Sequence, residues 1–303
     1  MASDFRPTGV FVPLVTPFDQ SGEVDLDSLR SVARRVLEDG ASGVVALATT
    51  GEPTSLDDGE LKAVLEVCAS VCAEYEEKIL IVGASTNDTR TTIARHEALS
   101  DIAGVSASLA VVPYYVRPSE SAIVRHFQVV AERSPVPVLL YNIPYRTGQG
   151  LGADALLELA DTENIAGVKQ AVGSIDQDTL RLLAEAADRF AVIGGDDQFL
   201  FPLALMGATG AIAASAHLCT ARFVRMIRCA LDGELAEGRE HSRALLPVVS
   251  ALFAEPSPAV IKAALHARGE IPTPNVRMPL ANASPEATQL AVGAVLDSES
   301  TMP

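Results

Sequence analysis

The chain has 303 residues and a formal net charge of −16, which argues against nucleic acid or an anionic membrane as its partner. It is 48% apolar with no Trp, so small aliphatic residues dominate a core large enough for one big domain or two ordinary ones. The charge does not exclude an acidic small substrate, which a few placed arginines or backbone N–H groups can hold. Cys68 and Cys72 stand four apart on an expected helix, Cys219 and Cys229 lie far away, and there is no CxxC. That pattern points to reduced thiols in the cytoplasm rather than a disulfide framework or a zinc site. MASDFRPTG lacks the apolar core of a signal peptide, and no apolar run approaches membrane-spanning length.

The expected elements alternate from the start. GVFVPLV (Gly9 to Val15) reads as a strand, and Leu26 to Leu37 has helical spacing with Asp25 or Asp27 as cap and Gly40 as stop. Gly43 to Ala48 is the second strand, leading into Thr49-Thr50-Gly51-Glu52, and Ser55 to Glu74 a long helix. The third pair is Lys78 to Ala84 and Thr91 to Ser100; the fourth is Ser106 to Val112, running into Pro113-Tyr114-Tyr115, and Ser119 to Arg133. Val136 to Tyr141 is the fifth strand, followed by Asn142-Ile143-Pro144-Tyr145-Arg146 and a helix over Asp154 to Ala160. Ile165 to Lys169 is the sixth strand, with a helix over Ile175 to Ala187; Phe190 to Ile193 is the seventh, opening into Gly194-Gly195-Asp196-Asp197. A helix across Phe199 to Met206 precedes the eighth strand, Gly210 to Ala214.

Eight strand–helix units, each strand a continuous apolar run, predict a parallel sheet closed on itself, a (β/α)8 TIM barrel. An open doubly wound sheet is the alternative, disfavoured by the eight units and by the lack of a GxGxxG after the first strand. The alternation stops near Asp232. Residues 1–232 are therefore expected to form the barrel and 233–303 a helical C-terminal extension, with helices over Glu234 to Ala254, Ala259 to Ala267 and Pro285 to Leu296 and a frayed tail from Asp297.

Working groups of a barrel gather where its strands end. Here those positions hold Thr49, Thr50, Tyr115, Tyr141, Arg146, Lys169 and Gly195. Only four of the 23 basic residues are lysines, and one of them, Lys169, closes an apolar strand. A strand-end lysine can snorkel to water, or, desolvated, can lose its proton and act as a nucleophile. Thr49-Thr50 can be a helix-entry turn or a holder of a small carboxylate, and Tyr141 a core residue or an acid. The five histidines are scattered with no metal spacing, so no metal is expected. Two carboxylates directly behind Gly194-Gly195 argue against a phosphate cradle. A lone amine among hydroxyls suits imine chemistry on a ketone.

ATTGE (Ala48 to Glu52), PYY (Pro113 to Tyr115), YNIPYRTG (Tyr141 to Gly148), GVKQ (Gly167 to Gln170), GGDD (Gly194 to Asp197) and GAIAAS (Gly210 to Ser215) together resemble one family. In order and spacing they are similar to the pyruvate-dependent class I aldolases of the dihydrodipicolinate synthase and N-acetylneuraminate lyase superfamily. The resemblance covers about residues 8 to 280. It implies an imine between Lys169 and pyruvate, and a proton relay of Thr49, Tyr141 and Tyr115, the last donated across a dimer interface. It implies further that Thr50 helps hold the pyruvate carboxylate and that the backbone near Gly195 and Ile212 lines the pocket. No metal or organic cofactor is implied, and the assembly implied is a homotetramer of two dimers.

Three features resemble the 4-hydroxy-tetrahydrodipicolinate synthases within the superfamily: the Thr49-Thr50 pair, Arg146 where they hold the carboxylate of aspartate semialdehyde, and EPSPAVIK (Glu255 to Lys262). Ala48, Tyr145 and Gln170 depart from their pattern, and so do Thr91 and Asp58 at a lysine-feedback site that Asn87 and Tyr114 match. The implied reaction joins pyruvate to an aldehyde, first of all L-aspartate 4-semialdehyde. Two alternatives remain: another lyase of the superfamily, acting on a 2-keto-3-deoxy acid, N-acetylneuraminate or an aryl aldehyde adduct, and a barrel that only binds a keto acid.

Overall fold

The computed structural model describes residues 5–301. In chain order its regular elements are β1 (Gly9–Pro13), α1 (Leu26–Glu38), β2 (Gly43–Ala46), α2 (Asp58–Cys72), β3 (Ile79–Gly83), α3 (Thr89–Glu97), β4 (Val105–Val111), α4 (Glu120–Arg133) and β5 (Val138–Asn142). They continue with α5 (Pro144–Thr147), α6 (Ala153–Ala160), β6 (Ile165–Gln170), α7 (Gln177–Ala186), β7 (Ala191–Gly194), α8 (Leu200–Leu205), β8 (Gly210–Ile212), α9 (Thr220–Asp232), α10 (Leu235–Leu252), α11 (Ala259–Ala267) and α12 (Pro285–Ser300). The strands form one closed barrel in the order β1 to β8, as the run of eight apolar segments predicts. Its paired strands are parallel.

The residues group into two compact units. One joins 81–212 to the described residues up to Gly9. In it Ser108 to Val111 of β4 pair with Val138 to Tyr141 of β5, and Leu139 to Asn142 pair with Gly167 to Gln170 of β6. Strand side chains such as Leu140, Val168 and Val192 pack with Ile123 and Phe127 of α4, Leu156 of α6 and Leu182 of α7 in one apolar cluster. Asp88, Ser119 and Asp176 start α3, α4 and α7, each side chain accepting a first-turn N–H that has no partner within its own helix.

The other unit joins 10–80 to the described residues from 213 onward. Phe11, Val12 and Pro13 of β1 pair with Gly43, Val44 and Val45 of β2. Asp25 caps α1, and Asp57 and Glu60 form a reciprocal capping box on α2. That box explains why α2 begins at Asp58 and not at Ser55. The helical region expected from residue 233 is α10 to α12, and these belong to this unit.

Most boundaries fall within three residues of the sequence reading, and Ala259–Ala267 falls on it. The sequence reading names neither α5, a single turn, nor α9, which occupies the stretch before Asp232. Fraying from Asp297 is also corrected: α12 runs on to Ser300 with Ser284 as its cap. Met302 and Pro303 lie outside the described residues.

Candidate active site

β6 is buried along its whole length, and Lys169 on it is 6% exposed. Lys169 is not the last residue of the strand, which runs on to Gln170. Parallel register sets Lys169 directly opposite Tyr141 of β5 and Ile193 of β7. Side chains alternate along a strand, so register partners share a face. The Lys169 amine accordingly lies 4.3 Å from the centre of the Tyr141 ring. A snorkelling lysine would reach water; this one ends on a buried tyrosine.

Gly195 follows β7 and donates its N–H to the Gln170 carbonyl at 2.9 Å. A Cβ there would stand 2.8 Å from Cε and 2.9 Å from Cγ of Lys169. Gly195 is thus the space that the lysine stem occupies. Asp196 beside it accepts the Gly173 N–H at 2.7 Å. Burial pushes the Asp196 carboxyl above the usual carboxylate range, opposed by that hydrogen bond and by the charge of Lys169. Ile212 ends β8, fully buried.

The strand ends carrying Tyr141 and Lys169 are tied together by an amide network that sequence reasoning missed. Asn142 donates to the Gln170 side-chain oxygen at 3.1 Å and to the Leu151 carbonyl at 3.0 Å, and accepts the Leu151 N–H at 3.1 Å. Gln170 donates onward to Thr179 at 3.0 Å. Every polar atom named here is buried and paired, which fixes the register of β5 on β6. The Gln170 departure is explained by this network: a carboxylate could accept from Asn142 but could not donate to Thr179.

Arg146 and Tyr145 stand on α5, closed by Gly148 in the left-handed region at φ +72°. Both side chains are exposed, Tyr145 by 82%, with the guanidinium carbon 5.2 Å from the Tyr145 ring centre. No ion pair among the described residues involves Arg146, so its donors are available. Tyr115 is 89% exposed at φ +70°, and Val116 N–H bonds the Tyr114 carbonyl at 2.8 Å across it. This is the uncommon, strained form of the three-residue turn.

In the other unit Thr49, Thr50 and Gly51 form a short 3-10 turn, Thr49 exposed and Thr50 buried. Gly51 N–H bonds the Ala48 carbonyl at 2.9 Å, Glu52 N–H bonds the Thr49 carbonyl at 3.2 Å, and the Thr16 hydroxyl donates to the Gly51 carbonyl at 2.7 Å. The sequence-expected residues thus fall into Lys169, Tyr141 and Gly195 in direct apposition, Arg146 and Tyr115 on exposed turns, and a threonine turn with its own supports.

One donor group that the spacing of the histidines does not reveal is Cys229, Glu237 and His241, whose ligand atoms lie within 4.8 Å of one another. Both Glu237 oxygens are already held by Arg225, at 2.5 and 2.7 Å. The cluster is an ion-pair network at the α9–α10 junction.

The model of the dihydrodipicolinate synthetase family matches residues 6–298. The chain is 38% identical over 272 residues to the 4-hydroxy-tetrahydrodipicolinate synthase of Neisseria meningitidis serogroup C / serotype 2a, covering 90% of this chain and 92% of that one. It is 37% identical over 287 residues to the synthase of Enterococcus faecalis, covering 94% and 97%. Among solved structures, the dihydrodipicolinate synthase of Acinetobacter baumannii complexed with pyruvate superposes with a TM-score of 0.92 at 30% identity, over 96% of this chain and 99% of that one. No helix among the described residues is long and apolar enough to cross a membrane. The chain belongs to the dihydrodipicolinate synthetase family of enzymes.

Proposed function

We propose that this protein is a 4-hydroxy-tetrahydrodipicolinate synthase, joining pyruvate to L-aspartate 4-semialdehyde through an imine on Lys169. The observation that carries the reading is a buried amine over the ring of Tyr141, its register partner. An amine placed in a buried site beside a tyrosine suits nucleophilic attack on a ketone. Lys169 attacks the keto carbon of pyruvate, and the keto oxygen leaves as water. Loss of a methyl proton gives an enamine, whose carbon bonds to the aldehyde carbon while the aldehyde oxygen takes up a proton. The amino group of the semialdehyde then attacks the former keto carbon and releases Lys169, closing the ring.

Tyr141 and Thr49 carry the protons, joined by Tyr115. The exposure and strained turn of Tyr115 support a role at a second copy of the chain, since strain persists where something is gained from it. Thr50 helps to hold the pyruvate carboxylate, and Gly195 and Ile212 line the pocket. No metal or organic cofactor takes part, the enzyme works in the cytoplasm, and the assembly is a homotetramer. Pyruvate bound to the Acinetobacter baumannii relative supports the keto-acid half of the reading.

Arg146 decides the aldehyde half. Its guanidinium is exposed and in no ion pair among the described residues, and it can grip a second carboxylate with two charge-assisted hydrogen bonds. Arg146→Ala should raise KM for aspartate semialdehyde by a loss of roughly 1.5–3 kcal/mol, with borohydride trapping of pyruvate unchanged. Turnover of an uncharged aromatic aldehyde in preference to aspartate semialdehyde would favour a second reading. In it the exposed ring of Tyr145 stacks on the substrate and the protein is an aryl-aldehyde lyase.

A further inference from the structure

We infer that Glu52 and Lys262 are positioning residues, a buried ion pair that sets the geometry of the Thr49–Gly51 turn for pyruvate. The inference rests on the reading above, in which that turn handles the keto acid.

Lys262 of α11 is completely buried, 0% exposed. Its amine donates to Glu52 Oε1 at 2.9 Å and to the Thr16 carbonyl at 2.8 Å, and lies 4.0 Å from the centre of the Phe18 ring. Glu52 immediately follows Gly51 and sits in the left-handed region at φ +53°, unfavourable for a residue with a side chain. Its second oxygen accepts the Arg277 N–H at 2.9 Å. Thr16 is used twice, its carbonyl by Lys262 and its hydroxyl on the Gly51 carbonyl. The turn is therefore held at its closing residue by a charge and at Gly51 by a hydroxyl, and both supports meet at one amine. Arg277 continues the clamp downstream, donating to the Ser55 carbonyl at 2.9 Å and to both oxygens of Glu60, at 2.6 and 2.5 Å.

A buried ion pair is a poor source of stability compared with an apolar pair of the same volume, because desolvation offsets most of the attraction. What it supplies is direction: two oxygens and one amine meet in one arrangement only. Burial pushes the Lys262 amine down to about 8, opposed by Glu52. With no exposure Lys262 cannot touch substrate, and it acts through the turn.

The test is borohydride trapping of the pyruvate imine as a function of pyruvate concentration, together with steady-state kinetics and melting curves. In Glu52→Gln either orientation of the amide sets an NH2 against a donor, Lys262 or the Arg277 N–H, so one support is lost with little change of shape. Half-saturation by pyruvate should rise roughly tenfold, the size of a charge-assisted hydrogen bond, while KM for the aldehyde stays put. Thr16→Val, nearly isosteric and leaving the ion pair in place, should give a smaller rise of about threefold; it also serves should Glu52→Gln not fold. Lower melting temperatures with pyruvate half-saturation unchanged in the folded variants would make the pair merely structural and overturn the inference. A wild type that no concentration of pyruvate allows to be trapped would overturn the imine reading, and this inference with it.

Discussion

Lys169, the proposed nucleophile, is placed by its neighbours across the sheet. Tyr141 and Ile193 are its register partners, and the missing Cβ of Gly195 leaves room for its stem. Lys169→Arg keeps a long basic side chain but loses the nucleophile, since a guanidinium does not deprotonate. Mass spectrometry after borohydride and pyruvate should find an adduct on the wild type and none on the variant; equal labelling would move the imine elsewhere. Tyr141→Phe keeps the ring beside the amine and removes only the hydroxyl. kcat should fall by about 10²–10⁴ with KM for pyruvate little changed, and retention of most of kcat would return Tyr141 to the core. Gly195→Ala would press a methyl into the lysine stem. We expect slower trapping by pyruvate in a protein that melts close to the wild type, and wild-type trapping would show that the stem has room to move.

At the scale of whole elements, two buried histidines tie stability to pH. His217, just after β8, accepts the Val15 N–H at 3.0 Å on Nε2, so its other nitrogen donates to the Ala214 carbonyl at 2.8 Å. The ring must be neutral to do both. Burial pushes it down to about 4, opposed by the Ala214 hydrogen bond. His126 on α4 is also pushed to about 4, by burial and then by His96, against the opposing charge of Asp88. Above about 6.5 both rings are neutral folded or unfolded, and their contribution is complete. As pH falls, the unfolded chain binds protons first, so stability drains away between about 6.5 and 4, by roughly 3 kcal/mol per ring at most. Melting temperatures should drop across that window before the carboxylates titrate. A flat profile down to pH 5 would mean that the rings find water or a new acceptor on protonation.

For the molecule as a whole, Tyr115 bears on assembly and Thr91 on feedback. A side chain 89% exposed on a strained turn is a poor arrangement for a lone chain. Thr91, where an acidic contact is usual, spends both its N–H and its hydroxyl on Asp88 at 2.8 and 2.7 Å, as part of the cap of α3. Inhibition by lysine should therefore be weak or absent in purified enzyme. Inhibition at sub-millimolar lysine would show that other residues hold its ammonium.

The barrel and the family were legible in the sequence because both rest on local patterns. A buried parallel strand is a continuous apolar run, a helix a 3.6-residue stripe, and the strand-end motifs keep their order and spacing. Lys169 stood out because lysine is rare here and an apolar strand is a costly place for a charge. The sequence by itself thus determined the fold class and the family, and it put forward Lys169 and the strand-end hydroxyls as the candidates for chemistry. Which neighbour faces which depended on register, and one residue of slip turns every side chain to the other face. Only the tertiary structure could oppose Lys169 to Tyr141, turn Gly195 into clearance for a lysine, or show Gln170 bridging Asn142 and Thr179. The pairing of Glu52 with Lys262, 210 positions apart, has no local signature at all. Nothing in either segment encodes it, because a buried charge finds its partner through the packing of the whole chain.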